Sequence, residues 1–148
     1  MHLCGALPSH RIDVVSDVWE EVVIHAPDAL QDSRLYRVTS PIQVPQNISQ
    51  WNLDRGEQAA LSYALAQRSE QDVLVLCDER QARQACTTLS LPVVGSIGLI
   101  VEAFRAGRAS LAIASETLRN LPHTGRLHIR TQLIEQAVAE LERSYLRE

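Results

Sequence analysis

Residues 72–83, DVLVLCDERQAR, constrain the fold more than any other stretch of this chain. Residues 73–76 form an unbroken apolar run, which Cys77 extends. A short run of this kind reads as a strand buried on both faces, as in a parallel sheet. It stops at two carboxylates, Asp78 and Glu79, and residues 80–85 continue with helical propensity and no breaker. A buried strand that ends in an acid and turns into a helix is an α/β crossover. Ligands of open α/β sheets bind beyond the carboxyl ends of such strands, and Asp78 stands there.

The flanking segments repeat the alternation. Ile12, Val14 and Val15 read as a short strand, and Ser16 or Asp17 can cap a helix beginning at Val18. Between residues 27 and 50, rich in proline and polar residues, only 34–38 has strand character. Asp54 followed by Glu57 has capping-box spacing. Leu53, Ala60, Leu61, Ala64 and Leu65 recur at helical period, so 51–68 is expected to be a helical unit. A helix over 79–89 follows the central strand at 73–77, and 91–94 is a second short strand. Ser96 opens a helix with Ile97, Ile100, Val101 and Phe104 on one face, which Gly107 stops. Two more helices are expected at 115–121 and 131–146, the last capped by Thr131 and burying Leu133, Ile134, Ala137, Val138 and Leu141. Short apolar strands alternating with amphipathic helices predict an α/β fold, a parallel sheet covered on both faces.

Length and charge narrow the function. The chain of 148 residues has the size of one domain and can bury a real core. No apolar run approaches the length of a bilayer span, and the N-terminus does not have the form of a signal peptide. The cysteines, Cys4, Cys77 and Cys86, share no metal-ligand spacing, and their odd number favours a reducing cytoplasm. A net charge of −4 does not advertise a nucleic-acid binder. All 14 cationic side chains are arginine, however, so any phosphate contact is made by a planar, bidentate guanidinium.

Three carboxylates stand out by position: Glu21 on the first helix, Glu57 at the start of the second, and Asp78 after the central strand. Each also has a structural explanation. Glu21 can be solvated on a helix face, Glu57 can complete a capping box, and Asp78 with Gln81 repeats the capping-box form. Arg80 and Arg83 can meet a phosphate or neutralise the acids, or simply keep the surface soluble. Ser96 can offer its hydroxyl and nearby amides to a phosphate, or serve as an N-cap. Spacing leaves these alternatives open.

Three blocks in fixed order carry a resemblance: LDRGEQAALSYALA (53–66), VLVLCDERQARQAC (73–86) and LPVVGSIGLIVEAFRAG (91–107), with Val18-Trp19-Glu20-Glu21 as a shorter earlier element. Over residues 12–142 the chain resembles the PIN-domain family, specifically a PIN-like subgroup related to toxin ribonucleases. The resemblance implies a three-layer α/β/α PIN-like domain with a parallel sheet, one domain over residues 1–148. Active members of the family bind Mg²⁺ or Mn²⁺ at an acidic cluster and hydrolyse phosphodiesters, usually in RNA. Carried over by motif, Glu21, Glu57 and Asp78 are the metal ligands and catalytic acids; Arg83 and Ser96, read from their own positions, are the candidates for binding substrate. An antitoxin-like protein and a homodimer are the partners that the resemblance suggests.

One part of the family pattern is missing. Its first strand ends in an aspartate that ligates metal and lies well before the Val-x-x-Glu element, yet only 17 residues precede Val18. The chain then either starts late, with the strand upstream, or is a degenerate member lacking that acid. In an alternative alignment residues 12–16 are the strand and Asp17 the acid, which leaves the second acid unassigned. Two functions follow: a metal-dependent ribonuclease of the toxin type, or a catalytically inactive PIN-like module that binds RNA or protein. An unrelated small-ligand α/β domain is the third reading, weakened because no dinucleotide-binding or Walker phosphate loop is present.

Overall fold

The computed structural model describes residues 11–123 and 130–147. In order they form β1 (Ile12–Val15), α1 (Ser16–His25), β2 (Leu35–Val38), α2 (Gln46–Ser49), α3 (Arg55–Gln67), β3 (Val75–Leu76), α4 (Arg80–Thr88), β4 (Val93–Val94), α5 (Ser96–Arg105), α6 (Leu111–Asn120) and α7 (Thr131–Tyr145). Short 3₁₀ segments follow α1 and α6. Backbone packing divides them into two compact units, one ending at Val94 and the other starting at Gly95. Cys4 lies outside the described residues.

The first unit is built from two parallel crossovers. β1 runs parallel to β2 with Ile12 opposite Leu35 and Val15 opposite Val38. β3 runs parallel to β4, with Val75 opposite Val93. The Val75 amide donates to Pro92 O at 2.9 Å and the Cys77 amide to Val94 O at 3.0 Å. Both connections pass through a helix, as parallel pairing requires. The expected parallel sheet is thus present among the described residues as two separate two-stranded pairs. The core of this unit gathers Ile48, Leu53, Leu61, Val75, Ala82 and Cys86. In α4, Ala82, Ala85 and Cys86 are fully buried at the i, i+3, i+4 spacing of one helix face.

Expectation and structure part at β3. Val75 is 8 % exposed, but Leu74 and Leu76 are 56 % and 46 % exposed. The strand therefore alternates, one face inward and one outward, instead of being buried on both. An apolar run reports what each residue would tolerate, not what covers it. Ser16 and Asp17 do not cap α1 either: its N-cap is Val15, without a side-chain bond. The Ser16 hydroxyl instead pairs with Ser40 Oγ at 2.9 Å and ties α1 to the segment after β2.

The second unit packs the buried faces of α5 (Leu99, Ile100, Val101), α6 (Ala114, Leu118) and α7 (Ile134, Val138, Leu141). α5 ends where the glycine predicts. Gly107 adopts φ +71, its amide bonds Phe104 O and the Arg108 amide bonds Ala103 O, a Schellman closure. α6 starts four residues before the expected 115, because the Ser110 side chain caps it by accepting from the Ile113 amide at 3.2 Å. α7 has Arg130 at its N-cap without a side-chain bond, so Thr131 is its first helical residue and not its cap. Leu133 faces outward.

Candidate active site

The acids of the first unit meet around the start of α3. Asp54 caps this helix as the sequence predicts: the Glu57 amide donates to Asp54 Oδ1 at 2.8 Å, and the Asp54 amide donates to Glu57 Oε2 at 3.0 Å. Between the two sits Gly56. A Cβ placed on it would come within 3.1 Å of Val18 Cγ2 and 3.9 Å of Glu21 Oε2. The missing side chain lets α1 approach α3 and brings the Glu21 carboxylate beside the capping box.

This closeness is felt as charge. Burial pushes the Glu57 carboxyl above its ordinary range, and Asp54, Glu79 and Glu21 push it further, while the bond from the Asp54 amide pulls it down. Burial likewise lifts the Cys77 thiol to about 11, with the charges of Glu57 and Asp78 adding to it. The β3–α4 junction thus faces the start of α3 through Cys77 and Glu79. Asp78 is not the cap of α4; that position belongs to Glu79, and no side-chain bond is made there. Asp78 instead lines a surface cavity of about 550 Å³ together with Trp51, Arg80, Arg83, Gln84 and Thr87.

The five candidate site residues are therefore distributed as follows. Glu21 and Glu57 share one electrostatic neighbourhood, whereas Asp78 and Arg83 share a cavity that neither of those acids lines, and Asp78 is not among the charges acting on Glu57. Ser96 is the first residue of α5 in the other unit and is 2 % exposed. Asp17, the alternative first acid, faces Arg55 at 3.4 Å and is not among the charges acting on Glu57. Sequence reasoning missed Glu79 and Trp51. Glu79 was visible as the second of two consecutive acids after the strand. Trp51 was visible only as an aromatic placed just ahead of the helix.

In donor chemistry the group fits a hard divalent cation: it is made of carboxylates, and Glu57 keeps Oε1 outside the capping box. In geometry, no three His, Cys, Asp or Glu side chains among the described residues converge closely enough to hold a metal ion.

A family model described as a PIN domain matches residues 7–143. The chain belongs to the PIN-domain family, a nuclease-type fold whose members typically use divalent metals. No curated protein and no solved structure matches it.

Proposed function

We propose that this PIN domain is a Mg²⁺- or Mn²⁺-dependent ribonuclease of the toxin type, acting as a single domain. Glu21, Glu57 and Asp78 are the acids that would hold the metal, and Arg83 would bind a phosphate of the substrate. The observation that supports this reading is the approach of the Glu21 carboxylate to the Asp54–Glu57 capping box at Gly56, where a Cβ would lie 3.5 Å from Asp54 Oδ1 and 3.9 Å from Glu21 Oε2. Acids gathered against their own repulsion are what a bound cation relieves. A bound Mg²⁺ or Mn²⁺ supplies charge to the attacked phosphodiester and lowers the pKa of a coordinated water. The protein's own part is to aim Glu57 through its capping box, to seat Glu21 against Gly56, and to offer the Arg83 guanidinium from α4. Ser96, buried at the head of α5, is left out of substrate contact.

An antitoxin-like protein or a second copy belongs to the same proposal. Exposed apolar side chains, Val23 and Ile24 on α1 and Leu74 and Leu76 at β3, support it. No helix among the described residues is long and apolar enough to cross a membrane, and a cytoplasmic location is part of the proposal. The second reading, a catalytically inactive module that binds RNA or protein, is favoured by the lack of three convergent metal donors among the described residues. Incubation of the 148-residue chain with structured and unstructured RNA separates the two. Mn²⁺-dependent cleavage that stops with chelator and with Asp78→Asn is expected. RNA binding without cleavage at any Mg²⁺ or Mn²⁺ concentration leaves the binding module.

A further inference from the structure

We infer that the cavity beside Asp78 is a seat for one unpaired nucleobase, stacked on Trp51 and flanked by phosphates held on Arg80 and Arg83. The inference rests on the ribonuclease reading for its orientation toward Asp78, and deepens it by assigning a base-binding subsite.

The cavity walls are divided by chemistry. α4 commits Ala82, Ala85 and Cys86 to the core, so Arg80, Arg83, Gln84 and Thr87 fall at i, i+3, i+4 and i+7 on the opposite face. They form a stripe roughly 10 Å long at the helical rise. Neither Arg80 nor Arg83 forms an ion pair with a described residue, whereas Arg34, Arg37, Arg55 and Arg105 do. Two guanidiniums one turn apart are thus offered outward, and that fork matches phosphate oxygens.

Trp51 forms the aromatic part of the same wall. Its amide donates to Ile48 O at 3.0 Å and its carbonyl accepts from the Leu53 amide at 3.0 Å, so its backbone is pinned on both sides. The ring packs against the core cluster and still lines the cavity. A largely covered, pre-positioned indole that still lines the cavity beside a cationic stripe is the pairing that binds single-stranded nucleic acid, rings on the aromatic face and phosphates on arginine. An acidic peptide would satisfy the arginines but offers nothing to the indole. The cavity, at about 550 Å³, has the size of a small-ligand pocket. Gln84 presents both a donor and an acceptor to a base edge. The Thr87 hydroxyl donates to Arg83 O at 3.1 Å and so presents only acceptor capacity.

The test uses the full chain in EDTA, so that binding is read without cleavage. A single-stranded hexauridylate is titrated while tryptophan fluorescence is followed, with a terminally labelled hexamer read by anisotropy in parallel. Saturable quenching is expected in the wild type and none in Trp51→Phe, which keeps only Trp19 as reporter. Arg80→Ala and Arg83→Ala should each raise the apparent Kd by roughly fivefold or more. Trp51→Leu should weaken the labelled hexamer by roughly tenfold. Arg80 is exposed on a helix, so Arg80→Ala answers the question even if the tryptophan variants fail to fold. Inorganic polyphosphate should bind without quenching, and an RNA duplex should not compete. Hexamer binding that leaves Trp51 unquenched, or that ignores Arg80→Ala, overturns the seat. Mn²⁺-dependent cleavage by a protein whose Trp51 is never quenched would leave the ribonuclease standing and the seat fallen. Quenching without cleavage would leave the seat standing and the ribonuclease fallen.

Discussion

The Glu57 carboxylate completes a helix cap while burial and the charges of Asp54, Glu79 and Glu21 favour its neutral form. Its folded pKa therefore lies above the ordinary 4.5, and the folded chain binds protons more readily than the unfolded one. With more protons bound in the native state, stability falls as pH rises through the folded value, and this contribution is fully present below the ordinary one. Urea unfolding followed by tryptophan fluorescence between about pH 4 and pH 7 should show this decline. Glu57→Gln keeps the capping acceptor and removes the charge, so it should flatten the slope and raise the neutral-pH midpoint. An unchanged slope would mean that the carboxyl is not held against its charge. The helix-capping role of Glu57 was readable in its three-residue spacing from Asp54. Its raised pKa was not, because that comes first from burial, with Glu79 and Glu21 adding to Asp54, and only tertiary packing supplies the burial and those two charges.

Local rules set the ends of α3 and α5 as read from sequence, since Asp54, Glu57 and Gly107 act within a single turn. They failed at β3, where burial depends on what lies across the strand, and at α4, whose cap is Glu79 and not Asp78. The cap of α3 therefore yields a clean prediction. Asp54→Ala removes the acceptor for the Glu57 amide and should cost the first unit about 1 kcal/mol in urea unfolding. Asp54→Asn retains an N-cap oxygen and loses only the charge. It should stay close to wild type in stability at low pH and exceed Asp54→Ala at every pH. Equal losses for both variants would assign the effect to charge, and the capping box would carry none of it.

The first unit holds its strands as two separate parallel pairs, and β3 presents Leu74 and Leu76 outward. Short pairs with open edges are a template for further pairing, and exposed apolar strand faces invite a partner. The chain carries a net charge of only −4 to oppose association. Val23 and Ile24 on α1 add a second exposed apolar element in the same unit. A folded protein arranged this way should associate as its concentration rises. Light scattering across a dilution series should then report a mass above that of one 148-residue chain at high concentration, falling toward it on dilution. The double variant Leu74→Ser, Leu76→Ser should shift this transition to higher concentration, whereas Ile24→Ser should leave it in place if β3 is the contact. If Ile24→Ser alone abolishes association, α1 is the contacting face. A single-chain mass at every concentration would remove self-pairing from the proposal and leave the exposed leucines to a different partner.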